Sequence, residues 1–166
     1  MKAARSALAA ALLALGLAAA AHESSPHAAS QGPVEKEQKA WGIAGDAKAV
    51  RRTVVLTMSD DMRFTPDHIE ARQGETVRIV ARNAGKMLHE IVIGTQQELD
   101  AHAAQMVKFP TMQHDAPYMA HVASGKVGEL VWNFNRAGEF DFACLIPGHY
   151  QAGMVGKITV TGKAGK

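Results

Sequence analysis

Between Thr53 and Thr161 the chain is divided into seven short runs rich in β-branched and aromatic residues, at 53–58, 69–71, 75–83, 88–93, 129–134, 139–144 and 155–161. In the third run Thr76, Arg78, Val80 and Arg82 alternate with Val77, Ile79 and Ala81, the two-residue period of a strand with one buried face. Asn83-Ala84-Gly85 and Arg136-Ala137-Gly138 supply turns between runs. So many short strands in so little chain must bury their apolar faces against one another, and they predict an all-β domain, an antiparallel β-sandwich with Greek-key connections.

One stretch, 95–126, breaks this texture. Thr95 followed by Glu98 forms a capping box, and Leu99, His102, Ala103 and Met106 then recur at helical spacing until Pro110. The remainder, "TMQHDAPYMAHVASGK", lacks a period and predicts a long loop inserted between strands. Long loops in compact domains usually carry function.

The first 21 residues belong to a different kind of segment. Lys2 and Arg5 precede an alanine and leucine run that closes in Ala19-Ala20-Ala21, the pattern of a cleaved export signal and too short to span and stay. The mature chain is then expected to begin near His22, with 145 of the 166 residues. Loss of Lys2 and Arg5 lowers the basic count from 18 to 16, against 16 acidic residues. A near-neutral chain offers no electrostatic case for nucleic acid, and no second apolar span predicts an integral membrane segment. Residues 22–50, rich in Ala, Ser, Gly and Lys, read as a mobile leader, and 51–166 as the domain.

An exported chain with a single cysteine, Cys144, has no intramolecular disulfide partner in an oxidising compartment. Burial, an intermolecular disulfide, nucleophilic catalysis and metal ligation are the alternatives. The surrounding stretch, "CLIPGHYQAGM", places His149 five residues after Cys144 and Met154 five residues after His149. A thiolate, an imidazole and a thioether on one loop make a soft, mixed donor set that suits copper as Cu(I) and Cu(II). Zinc would accept the first two but gain nothing from the methionine, and paired cysteines are absent. A second imidazole is needed, and His89, opening a strand after a glycine turn, is the candidate.

"NAGKMLHE" followed about 55 residues later by "CLIPGHYQAGM" resembles the cupredoxins, the family of azurin and plastocyanin. The resemblance implies a cupredoxin-like sandwich over about 51–161, with His89, Cys144 and His149 as equatorial copper ligands and Met154 as a weak axial one. One departure stands out. Many electron-transfer cupredoxins carry Asn directly after the first histidine ligand, where this chain has Glu90.

The eight histidines and eight methionines are many for this length. Met112, His114, Met119 and His121 share the inserted loop, where two methionines have no evident packing role, and they are read as a secondary copper site. Met58 and Met106 read as core; His102 with Met106 is an i, i+4 pair that could be part of the extra copper-binding set or equally an ordinary helix face; Met87 lies near the main site. His22 at a new N-terminus, with His27 close by, would offer Cu(II) an amine and an imidazole. The "HE" pair and the additional Met and His resemble the periplasmic cupredoxins of copper tolerance, which makes copper tolerance and homeostasis the expected role and periplasmic electron transfer the alternative. The expected partners are copper ions and periplasmic redox or copper-handling proteins. A Cys144 nucleophile with His149 or His89 as base would be the enzymatic reading, but it leaves Met154 and the sandwich unexplained, so no catalysis is expected.

Overall fold

The computed structural model describes residues 36–110, 112 and 114–162; the expected signal segment and the leader histidines His22 and His27 lie outside them. In chain order the elements are β1 (Ile43–Ala44), a 3-10 turn (Ala47–Ala49), β2 (Arg52–Ser59), β3 (Arg63–Thr65), β4 (His68–Arg72) and β5 (Glu75–Asn83). There follow β6 (His89–Gly94), α1 (Gln96–Lys108), β7 (Met119–Val122), β8 (Val127–Phe134), β9 (Gly138–Ala143) and β10 (Val155–Thr161). They form two five-stranded sheets, ordered β1-β8-β5-β2-β3 and β4-β10-β9-β6-β7.

The alternation in the sequence becomes the burial pattern. Leu56, Met58, Val77, Ile79, Leu130, Trp132 and Phe134 point inward from the first sheet, and Ile69, Ile91, Ile93, Phe142 and Ile158 meet them from the second. Full burial of each such side chain stabilises by about 1.5–3 kcal/mol. Phe64 and Phe142 lock the two layers edge to face at 5.0 Å.

Three expectations need correction. The sandwich is not wholly antiparallel, because β2 runs parallel to β5 and β4 parallel to β10. The described end of the expected leader is part of the domain: β1 pairs with β8, Trp41 is 3 % exposed, and Trp132 Nε1 donates to the Trp41 carbonyl at 3.0 Å. The inserted loop is strand in its second half, where β7 pairs with β6 in the register Glu90↔His121 and Val92↔Met119. The helix stands as expected, with both halves of its capping box formed between Thr95 and Glu98.

Strand β6 positions the site. Flanked by β9 and β7, it sends Ile91 and Ile93 into the main core and Val92 to the opposite face, where Leu99, Ala103 and Met106 of α1 cover it together with Met119 and Leu145. Both faces are therefore buried, which explains a run with little polar alternation.

Candidate metal centre

His89 begins β6 where the turn from β5 releases it, and buried Asn83 sets that turn. Its amide donates to the carbonyls of Met87 at 2.7 Å and Val122 at 2.8 Å, while its side-chain oxygen accepts from Gly85 N–H at 2.8 Å. Asp60, at the start of the β2–β3 turn, caps the same loop by accepting from the N–H groups of Lys86 at 2.8 Å and Met87 at 3.3 Å. These backbone bonds, Lys86 first, hold the Asp60 carboxyl below its ordinary value. A side chain at position 85 would collide with that carboxylate, so glycine is needed for close approach.

The same carboxylate lies 3.1 Å from His89 Nε2. His89 is fully buried, and its other nitrogen, Nδ1, has no hydrogen-bond partner. A carboxylate orienting one imidazole nitrogen and leaving the other free is the usual support of a metal-ligating histidine.

Cys144 follows β9, and its loop is closed by its own backbone. Cys144 N–H donates to the Met154 carbonyl at 3.1 Å, His149 N–H to Ile146 at 2.9 Å, and Met154 N–H to His149 at 3.1 Å. Tyr150 ties the loop to the helix by donating to Asp100 at 2.6 Å. One ligand atom each from His89, Cys144 and His149 lies within 4.8 Å of the others, and Cys144 Sγ is 3.3 Å from His149 Nδ1. Met154 is fully buried beside them in sequence and in the same core cluster as Cys144.

Burial pushes the Cys144 thiol up to about 12, although the amides of Glu90 and Ile146 pull it the other way. A bound cation is what makes such a thiol a thiolate at neutral pH. Burial, with His89 alongside, lowers His149, which keeps its imidazole neutral and able to donate a lone pair. The orphaned His89 nitrogen and this soft donor set fit a copper ion.

Glu90 answers for the missing asparagine. Its N–H approaches Cys144 Sγ at 3.4 Å, and its carboxylate accepts from Leu145 N–H at 2.8 Å, so one residue braces both the sulfur and the start of the cysteine loop. Glu90 is 1 % exposed, and its other oxygen lies 2.9 Å from His121 Nε2. That ion pair raises His121 above the ordinary histidine value.

The expected secondary set is brought together only in part. Met119 is buried under α1 in the second apolar cluster. His114 and His121 do approach, with ring centroids 6.5 Å apart, and His102, for which the sequence left both a metal-binding and an ordinary helix reading open, joins them at 4.6 Å from His114. Met112 is 43 % exposed and lines a groove with His102, Gln105 and His114. The helical spacing of His102 to Met106 gave no sign of the proximity of His102 to His114, which is a tertiary contact. Met58 and Met106 are core, as expected.

A β-sandwich with buried His, Cys and His side chains converging at one end defines a copper-binding domain of the cupredoxin kind. The chain belongs to the plastocyanin/azurin family of copper-binding proteins, whose family model matches residues 52–161. It is 55 % identical over 120 residues, 72 % of this chain and 73 % of the relative, to the copper-resistant cuproprotein CopI of Rubrivivax gelatinosus. It is 36 % identical over 151 residues, 74 % of this chain and 83 % of the relative, to the protein of the same name from Pseudomonas aeruginosa. Among solved structures, auracyanin B superposes with a TM-score of 0.59 at 20 % identity, over 74 % of this chain and 96 % of its own, a likeness of fold.

Proposed function

We propose that this protein is a periplasmic copper-resistance cupredoxin that holds a copper ion between His89, Cys144 and His149, with Met154 as the fourth, weaker ligand. When bound, copper supplies a centre that passes between Cu(I) and Cu(II). The protein's part is to keep the His149 imidazole neutral, to orient His89 through Asp60, to hold the sulfur between the Glu90 amide and the closed loop, and to exclude water by burial. The observation that carries this reading is the free, buried Nδ1 of His89 in a group whose ligand atoms already lie within 4.8 Å. Copper resistance as the purpose is supported by the names of the similar proteins, and export by the pattern of residues 1–21. Among the described residues no helix is long and apolar enough to cross a membrane.

Electron transfer is a second reading, favoured by the same preformed donor set, since ligands that are already convergent rearrange little between oxidation states. The test begins with the visible spectrum after one equivalent of Cu(II). An intense sulfur-to-copper charge-transfer band, absent in Cys144→Ser, is expected; its absence from the wild-type protein would overturn the assignment. Copper tolerance of cells carrying wild-type or Cys144→Ser protein then separates the two purposes, because a carrier alone would leave tolerance unchanged.

A further inference from the structure

We propose that the turn between β2 and β3, which supplies no ligand, sets the redox preference of the centre: through Asp60 it makes His89 the stronger imidazole donor and biases bound copper toward Cu(II). The inference rests on the reading of the main site and names a positioning residue that tunes it. Both oxygens of the Asp60 carboxylate are engaged. Oδ2 accepts from Lys86 N–H at 2.8 Å, while Oδ1 accepts from Met87 N–H at 3.3 Å and lies 3.1 Å from His89 Nε2. A carboxylate has no proton to give, so the neutral His89 ring carries its hydrogen on Nε2 and its lone pair on Nδ1, the buried nitrogen without a partner. His149 is placed differently. Its Nδ1 faces Cys144 Sγ at 3.3 Å, and the carboxylate–histidine pairs among the described residues are those of His89 and His121. The Asp60 side chain is 34 % exposed, so water screens its field through space and its charge acts through the hydrogen bond. A negative partner raises the basicity of a ligand imidazole, and a more basic ligand favours the more highly charged ion.

The rest of the turn keeps Asp60 in place. Met62 adopts a left-handed φ of 61° and packs against the main core, a conformation that a non-glycine residue keeps only where its surroundings enforce it. Arg63 Nη1 donates to the Met62 carbonyl at 2.7 Å and to the Ala152 carbonyl at 3.1 Å, two residues before Met154. One turn thus grips both ligand-bearing segments, Asp60 at the entry to β6 and Arg63 at the end of the Cys144 loop.

The test makes two measurements on the full exported protein as wild type, Asp60→Asn and Arg63→Gln. Nitrogen-15 NMR of the copper-free protein at neutral pH reads the His89 tautomer, and spectroelectrochemistry of the copper-loaded protein, followed on the charge-transfer band, reads the reduction potential. Hydrogen on Nε2 is expected in wild type and in Arg63→Gln. Asp60→Asn should keep the band and move the Cu(II)/Cu(I) equilibrium about tenfold or more toward Cu(I), about 59 mV upward for one electron. Arg63→Gln loosens the same turn without touching His89, so it should not raise the potential. Hydrogen on Nδ1 in the wild type, an unchanged potential in Asp60→Asn, or an equal rise in Arg63→Gln would overturn the proposal. If Asp60→Asn does not hold copper, Gly85→Ala, whose methyl group displaces the Asp60 carboxylate without removing its charge, must raise the potential instead. Absence of the band from the wild-type protein would overturn the main-site reading and this bias with it, whereas the wrong tautomer beside an intact band would overturn the bias alone.

Discussion

The two histidine groups use the same device and arrive at opposite characters. Within each, a carboxylate grips Nε2 of one imidazole: Asp60 for His89, Glu90 for His121. The inner group draws its ligands from the start of β6 and from one loop closed by its own backbone, and its ligand atoms converge within 4.8 Å. The outer group draws on a helix, a connecting segment and a strand, and two of its rings, His102 and His114, line a solvent-facing groove. Groups tied down by backbone hydrogen bonds are held in place before a metal arrives, which favours retention; side chains on three separate elements are not preorganised in this way.

The largest way to break the contrast is Cys144→Ser. It should remove the charge-transfer band entirely and lower the bound copper, read by visible absorption and metal content. Next comes Asp60→Asn, which leaves His89 without its charged support; a loss of about 10- to 100-fold in copper affinity is expected at the inner site alone, by chelator competition. Glu90→Ala should injure both groups. It leaves the Leu145 N–H without its acceptor and His121 without its carboxylate, at about 1–3 kcal/mol of stability by chemical denaturation, and it should move the inner band. Tyr150→Phe removes the tie to Asp100 and should lower stability by about 1 kcal/mol or less, with the band intact.

The smallest effect is in proton affinity. His121 is raised from 6.5, chiefly by Glu90, whereas His102 is lowered from 6.5, chiefly by burial and then by His114. The signs oppose each other: the raised His121 stabilises the fold below its unfolded pKa and loses that contribution as pH climbs through its folded value, while His102 favours unfolding as pH falls, because the unfolded chain takes the proton first. Side-chain NMR titration of the copper-free protein should show His121 titrating above His102, and Glu90→Gln should bring the two together.

Much of this was legible in the residues themselves. Alternation at 76–82 announces β5, and the Cys144, His149 and Met154 spacing announces the metal loop, because both signals are local. What escaped was set by pairing across the chain. Strand β1 is two residues long, too short to show a period, and Trp41 counts as core only once β8 covers it. Met119 looked free for ligation because its strand is four residues long and enclosed by Pro117 and Gly125; its role follows from register with Val92 under the helix. Asp60 lies 29 residues from His89, and nothing local links them. The Glu90 departure was visible, but its work was not, since it depends on Leu145 meeting it from the loop after β9.

That His89 and Glu90 are neighbours in sequence has an evolutionary consequence. Adjacent residues of a strand face opposite ways, so the inner ligand and the outer brace occupy the two sides of β6 by parity alone. A lineage can tune either group by point substitution, one codon at a time. Deletion of a single codon between Gly85 and His89 would instead turn both side chains over together, aiming the carboxylate at the sulfur and the imidazole at the helix. The two groups are thus free to diverge in chemistry while remaining bound to a common reading frame of the strand.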